Sequence, residues 1–225
     1  MPNRRRPDLA REARAFAGEL SATLNRTVTD GLRLSVCMDR AGRAVVGKGV
    51  GRLSLEGDAA PLAISRVTPR LCLYVIQTLD LDATGRFLTT TRSSFALQTA
   101  STAEPVVTYD YTRDPPNIYP EAHFHVHGRV EAVQSMLERC GRRKDKPDDL
   151  HFPVGGRRFR PCLEDLIEFC ILERLVEPRP GWEKALNESR QRFRDDQLRA
   201  AVRRSPDTAA VVLKEQGWQV VEPDG

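Results

Sequence analysis

The sequence predicts an α+β fold that has an N-terminal helix, an antiparallel β-sheet meander and a C-terminal helical section. Strand-like runs follow one another between residues 32 and 128 with no helix between them, which excludes alternating βα units and favours an antiparallel sheet. Apolar residues at helical spacing occur before and after this region. We therefore assign residues 1–26 to an N-terminal helix, 27–160 to an antiparallel sheet with a His-rich strand, and 161–225 to C-terminal helices, and we expect one compact unit.

The first helix is predicted from a cap and from an apolar stripe. Asp8 is of a residue type that commonly caps a helix N-terminus. Apolar residues then recur at helical spacing through about Leu24, which predicts an amphipathic helix with one buried side. The residues of this stripe are Leu9, Ala13, Phe16, Ala17 and Leu20.

The sheet is predicted from alternating or β-branched runs that are separated by turn residues. Residues 71–81 form the most strand-like run, and the turn at residues 82–85 is followed by the alternating run 87–97, so the two predict a long hairpin. Pro115 and Pro116 predict an irregular connection, because neither can donate a hydrogen bond to a neighbouring strand. The other predicted strands are 32–38, 44–47, 106–111 and the segment that contains the histidines.

The C-terminal section is predicted to be helical. Residues 163–176 carry an apolar stripe, Pro161 precedes it, and two acidic residues, Glu164 and Asp165, lie in its first turn. Residues 182–201 and 208–216 predict two further helices. A shorter helix is predicted at residues 130–139, after the His-rich strand. We interpret these helices as packing elements.

Three of the four histidines lie in one short segment, residues 121–128. His123, His125 and His127 alternate with apolar residues, so on a strand the three imidazoles share one face. Neighbouring residues on one face are roughly 6.6 Å apart along a strand, which allows a pair of imidazoles to bind one metal ion. We predict His123, His125 and His127 as ligands of a divalent metal, zinc or manganese; a polar sheet face without chemistry and contact with nucleic acid are the alternatives.

A second segment, residues 150–161, contains His151, two glycines and three arginines. Gly155 and Gly156 allow the backbone to approach a ligand closely, and arginine suits a phosphate or another anion. We predict an anion-binding loop, with an ordinary glycine turn as the alternative. Its anion-binding residues are Arg157, Arg158 and Arg160.

The functional hypothesis is that the histidines meet this loop and act on a phosphate ester of a nucleotide or nucleic acid. His125, His151 and Arg157 are the predicted catalytic residues, by metal-assisted hydrolysis or by histidine acid–base or nucleophilic catalysis. The alternative is a non-enzymatic regulatory module that binds a protein or a nucleic acid.

The composition indicates a globular protein of 225 residues, because 40% hydrophobic residues are enough to form a core. No apolar run approaches the ~20 residues that span a bilayer, and the first residues lack the apolar part of a signal peptide, so we expect no membrane association and a cytoplasmic location. The five cysteines fit neither a disulfide framework nor a CxxC zinc site. A net charge of +4 is too small to predict DNA binding by itself.

Three resemblances add context. Residues 150–165, L-H-F-P-V-G-G-R-R-F-R-P-C-L-E-D, together with the His-rich strand, resemble a family of actinobacterial proteins with no established activity. The run from His123 to His127 is similar to the H-x-H-x-H motif of histidine triad nucleotide hydrolases and transferases, which implies that His125 attacks an α-phosphate. The order of elements is similar to that of TumE-type toxins, which implies a protein partner, an RNA or nucleotide target, and a toxin–antitoxin or defence role.

Overall fold

A single antiparallel sheet organises the computed structural model, which describes residues 7–63, 70–100, 103–116, 118–128, 131–139, 149–154 and 160–221. Within these residues the sheet has eight strands in the order β1-β2-β4-β5-β6-β7-β8, and β3 pairs with β4. The predicted meander is therefore confirmed. The strands are β1 (Ser35–Met38), β2 (Ala44–Gly47), β3 (Ala60–Pro61), β4 (Leu71–Leu81), β5 (Leu88–Thr99), β6 (Pro105–Thr112), β7 (Ala122–Val126) and β8 (Phe152–Pro153).

Helices precede and follow the sheet, as predicted, which confirms the α+β class. None of the helices in the described part of the chain is both long and apolar enough to cross a membrane. The helices are α1 (Leu9–Thr27), α2 (Glu131–Arg139), α3 (Leu163–Leu172), α4 (Trp182–Arg204) and α5 (Pro206–Glu215).

Helix α1 begins where the sequence predicts and ends one turn later than predicted. The Asp8 side chain accepts hydrogen bonds from the backbone N–H groups of Ala10 and Arg11, at 3.0 and 3.3 Å, which satisfies two donors of the first turn. The helix continues to Thr27, whose hydroxyl donates to the Thr23 carbonyl oxygen at 2.9 Å. Thr27 is fully buried although threonine is polar. The last turn was therefore not predicted from the spacing of apolar residues.

One hydrophobic cluster joins the helices to one face of the sheet. It contains side chains from α1, from β2, β4 and β5, and from α3 and α4, such as Leu24, Leu97, Ile167 and Leu186. Segments 1–26, 27–160 and 161–225 all contribute to this cluster. Burial of these side chains away from water is the main favourable term that holds the layers together.

The two faces of the sheet differ along β6, because successive side chains point to opposite faces. Val107 and Tyr109 pack against the hydrophobic cluster, and Tyr111 is buried on the same face. Thr108 and Asp110 therefore point to the other face, which we call the histidine face. The histidine face carries the candidate site.

Two short strands, β3 and β8, were not predicted. Each has two residues and contains a proline, so neither shows a readable alternation. Strand β8 matters for the site because it pairs with β7, with Phe152 opposite Phe124 and Pro153 opposite His123. This pairing brings a late segment of the chain beside the His-rich strand.

Candidate metal centre

Three imidazoles converge on the histidine face. One nitrogen each of His123, His125 and His151 lies within 4.8 Å of the others, and the ring centroids are 4.6 to 5.1 Å apart. Nitrogens around one tetrahedral zinc ion are about 3.3 Å apart, given Zn–N distances near 2.0 Å. Small side-chain rotations would therefore bring the three rings to ligand distance, and we call these residues the three-histidine cluster.

Strand register explains why the cluster forms. His123 is opposite Asp110 and His125 is opposite Thr108 in the β6–β7 ladder, so both imidazoles point to the histidine face. The β7–β8 register, continued by one residue beyond Phe124 and Phe152, places His151 opposite His125. On the other face the rings of Phe124 and Phe152 stack with centroids 5.0 Å apart, which stabilises this register.

Backbone carbonyl groups orient two of the three rings. The Nδ1 atom of His123 lies 2.9 Å from the Pro120 carbonyl oxygen, and Nδ1 of His151 lies 3.1 Å from that of Asp149. A carbonyl oxygen only accepts, so Nδ1 carries the proton and Nε2 carries the lone pair in each neutral ring. Metal-binding histidines are commonly oriented in this way by a carbonyl group behind the ring.

The electrostatics keep His151 neutral. Burial lowers the pKa of His151, and the nearby rings of His125 and His123 lower it further. A neutral imidazole is the form that binds a metal ion. The environment of His151 therefore favours the ligand form of the ring at neutral pH.

Asp110 adds a carboxylate to the cluster. Its Oδ2 atom lies 3.7 Å from Nε2 of His125, and both side chains are partly buried. A carboxylate at this position can coordinate the same ion, orient the imidazole, or accept a proton from a bound water. Asp110 was not among the predicted site residues.

A pocket of about 340 Å³ opens over the cluster. Tyr119 forms one wall and stacks on His151, with ring centroids 3.7 Å apart and an angle of 8° between the planes. Arg92 and Thr112 reach the pocket from β5 and β6, where they are paired in register. A pocket of this size accommodates a small ligand, and Arg92 supplies a cation next to the three imidazoles.

The predicted site residues also included His127, Arg157 and Arg158. His127 is outside the three-histidine cluster: its Nε2 atom forms a 3.0 Å hydrogen bond with the Thr108 hydroxyl, and its ring centroid is 6.2 Å from that of His125. Arg157 and Arg158 lie outside the described residues. The predictions for these two arginines stay predictions.

Arg160 lies on the opposite side of the sheet from the cluster. Its guanidinium group is 4.6 Å from the centroid of the Tyr111 ring and 5.4 Å from that of Phe193 on α4, and burial lowers its pKa. Tyr111 points to the helix-covered face, whereas Asp110 and His123 point to the histidine face. The structure does not bring Arg160 to the imidazoles, whereas Arg92, among the described residues, lines their pocket.

Sequence reasoning missed Arg92, Asp110 and Tyr119. Asp110 had a readable signal, since it is a carboxylate between two aromatic residues on a predicted strand that directly precedes the His-rich strand. Arg92 and Tyr119 had none, because only the β5–β6 register and the path of the β6–β7 connection bring them to the pocket. Comparison with protein-family models, curated proteins and solved structures finds no match to this chain. The three resemblances read from the sequence therefore stay predictions.

Proposed function

We propose that the three-histidine cluster binds a divalent metal ion, zinc or manganese, and that the protein hydrolyses a phosphate ester of a nucleotide or nucleic acid. The observation that carries this proposal is the convergence of His123, His125 and His151 in a pocket that also contains Asp110 and Arg92. Three histidine ligands with one open position are typical of catalytic zinc sites. Imidazole nitrogens favour zinc, and a coordinating carboxylate would broaden the choice toward manganese.

Each part of the pocket has a distinct role in this reaction. His123, His125 and His151 would hold the ion, which would supply Lewis-acid activation of a water molecule. Asp110 accepts the proton of that water, and Arg92 holds the phosphate oxygens through charge-assisted hydrogen bonds. Attack of the water oxygen would form a bond to phosphorus while the ester P–O bond breaks, and Asp110 would return its proton to the leaving oxygen.

The proposal favours metal assistance over a covalent histidine intermediate. His125 and His151 were predicted as catalytic residues, and both now belong to the proposed ligand set. An imidazole whose lone pair is on a metal ion is not a nucleophile toward phosphorus. The histidine triad mechanism, in which His125 attacks an α-phosphate, is therefore the competing hypothesis for the role of His125.

Elemental analysis of the purified 225-residue chain tests metal binding. We expect about one zinc or manganese per chain, and we expect His123→Ala and His151→Ala to lose it. Metal-free protein that also fails to take up zinc in calorimetric titration would overturn the proposal. Bound metal without hydrolysis of any phosphate ester would favour the alternative, a non-enzymatic regulatory module.

Steady-state hydrolysis of bis(p-nitrophenyl) phosphate and of dinucleotides tests the substrate class. Arg92→Ala is expected to raise the KM about tenfold or more, because a hydrogen bond to a charged group contributes about 1.5–3 kcal/mol. Arg194→Ala is the matched control, since Arg194 is an exposed arginine on α4. Equal effects of the two substitutions would contradict the role of Arg92.

The proposal also places the protein in the cytoplasm. Cys37, Cys72, Cys162 and Cys170 are free thiols, and thiols persist in a reducing compartment. Burial raises the pKa of the Cys170 thiol to about 12, so this thiol is neutral and unreactive. These cysteines are consistent with structural roles.

A further inference from the structure

Two arginines meet on the helix-covered face of the sheet. Thr112 lines the pocket on the histidine face, so its neighbours Tyr111 and Arg113 point to the helix-covered face. Arg113 continues the strand geometry of β6, because its N–H donates to the Thr91 carbonyl oxygen at 2.9 Å. The Arg160 guanidinium group lies 4.6 Å from the centroid of the Tyr111 ring, and Arg113 is the next residue on the same face, roughly 6.6 Å along the strand. Arg113 and Arg160 are therefore neighbouring cations, and we call them the arginine pair.

The arginine pair has neutral partners. Nη2 of Arg113 donates to the Thr89 hydroxyl and, at 2.9 Å, to the Thr90 carbonyl oxygen. Arg160 packs between two aromatic rings. Within the described residues, neither arginine forms an ion pair with a carboxylate. Two like charges therefore lie side by side without a carboxylate from this part of the chain to balance them, and like charges repel.

A buried arginine on α4 gives the contrast. The guanidinium group of Arg190 contacts the carboxylates of Glu168 at 2.8 Å and Asp165 at 3.4 Å, which compensate its charge. The arginine pair has no such compensation from the described residues. Burial and the nearby Arg113 charge lower the pKa of Arg160, so the surroundings of Arg160 disfavour its cation. An anion bound beside the two guanidinium groups would remove this repulsion.

We propose that Arg113 and Arg160 form a phosphate-binding site on the opposite face of the sheet from the metal centre. Both residues are partly exposed, so a ligand can reach them from solvent. A guanidinium group offers parallel N–H donors that match two oxygens of a phosphate. The aromatic rings around Arg160 hold its plane in place before a ligand binds. Arg160 was predicted to bind an anion beside the imidazoles, and this proposal, which does not depend on the metal site, assigns it an anion on the other face.

Further cations extend from the arginine pair toward the turn between β4 and β5. Phe87 lies two residues before Thr89, the partner of Arg113. The guanidinium groups of Arg203 and Arg86 lie 3.9 and 5.7 Å from the centroid of the Phe87 ring. A free phosphate would contact the arginine pair, whereas a nucleic-acid strand, which carries a phosphate at every nucleotide, would contact these cations in succession. The additional cations favour a strand as the source of the phosphate group.

Calorimetric titration of the 225-residue chain with sodium phosphate, against sodium chloride at equal ionic strength, tests the site. Arg113→Gln and Arg160→Gln are each expected to weaken phosphate binding about tenfold or more, because each removes a charged hydrogen-bond donor. Arg14→Gln is the matched control, since Arg14 is an exposed arginine on α1. Circular dichroism checks folding, and Arg160→Lys, which loses the planar fork, replaces Arg160→Gln if that variant does not fold.

Three outcomes overturn the phosphate site. The first is a wild-type chain that binds no phosphate, and the second is an equal Kd in Arg160→Gln and Arg14→Gln. The third is phosphate binding that Arg92→Ala abolishes and Arg160→Gln retains, because this result assigns the phosphate to the pocket of the metal centre. Binding that Arg92→Ala retains and Arg160→Gln loses supports the site.

Fluorescence anisotropy with a labelled oligothymidylate, in the presence of a chelator, identifies the source of the phosphate. The strand is expected to bind more tightly than inorganic phosphate, with a Kd that rises with salt. Arg203→Gln should lower the slope of log Kd against log salt by about one and leave inorganic phosphate binding unchanged. An oligothymidylate that binds no more tightly than phosphate would assign the site to a small phosphorylated compound. Strand binding that Arg160→Gln leaves unchanged would overturn a strand as the ligand of the arginine pair.

Discussion

The helix-covered face and the histidine face of the sheet use polar groups in opposite ways. On the helix-covered side, buried polar groups have partners: the Ser189 hydroxyl donates to the Glu164 carboxylate, and the Thr23 hydroxyl donates to Ser189 at 3.2 Å. These contacts tie α1, α3 and α4 together. On the histidine face, imidazoles and a carboxylate gather around a pocket instead. Polar groups on the first face link the helices, whereas those on the histidine face converge on a pocket.

Truncation of a core side chain is expected to have the largest effect on stability. Leu24 is fully buried in the hydrophobic cluster, so Leu24→Ala should lower the free energy of unfolding by about 2–5 kcal/mol. Urea denaturation measures this loss. His123→Ala on the other face should lower the free energy of unfolding much less without metal. Equal losses for the two variants would contradict this difference between the two faces.

Metal binding is expected to stabilise the protein through the three-histidine cluster. Zinc at about a hundred times its Kd should raise the free energy of unfolding by about 2.7 kcal/mol. His151→Ala should abolish this increase, whereas His127→Ala should retain it, because His127 lies outside the three-histidine cluster. Thermal unfolding with zinc and with a chelator measures both variants. Loss of the zinc effect in His127→Ala would extend the ligand set to all four histidines.

Removal of the Glu164 carboxylate is expected to have an intermediate effect. Glu164 is buried, and Glu164→Ala leaves the Ser189 hydroxyl without its acceptor at a helix interface. The expected loss is about 1–3 kcal/mol in the free energy of unfolding. The same variant should keep its zinc stoichiometry. A loss of zinc in this variant would show that the two faces are coupled.

The smallest expected effect is a pH dependence of the metal-free protein. Burial and the rings of His125 and His123 lower the pKa of His151 below 6.5, so the unfolded chain binds more protons than the folded chain just below that pH. Stability should therefore rise as the pH increases through this window. Chemical denaturation of the wild-type chain and of His151→Gln across this window measures the difference. An equal slope in the variant would assign the pH dependence to other groups.

Local patterns predicted the fold well and the site in part. Alternation placed His123 and His125 on one face, and the Asp8 cap placed the start of α1. Alternation did not reveal that His151, and not His127, completes the three-histidine cluster, because the position of His151 depends on the β7–β8 register. The ring pair of Phe124 and Phe152 stabilises this register from the other face, and no local pattern reveals it.

The positions of Arg160 and Arg92 depend on tertiary packing that the local sequence does not reveal. Arg160 is close to His151 in the chain, yet it packs between Tyr111 and Phe193 on the helix-covered side. Arg92 is far from every histidine in the chain and reaches their pocket through two strand registers. Distance along the chain therefore did not predict the positions of Arg160 and Arg92 relative to the imidazoles.

The pairing of β7 with β8 has a consequence for the motions of this region. Strand β8 is only two residues long and forms the outermost position of the sheet. An ion shared by His125 and His151 would cross-link two residues that are distant in the chain and would stabilise the pairing of the edge strand β8 with β7. Amide hydrogen exchange at Val154, whose N–H donates to the Ala122 carbonyl, would then slow when the ion is loaded.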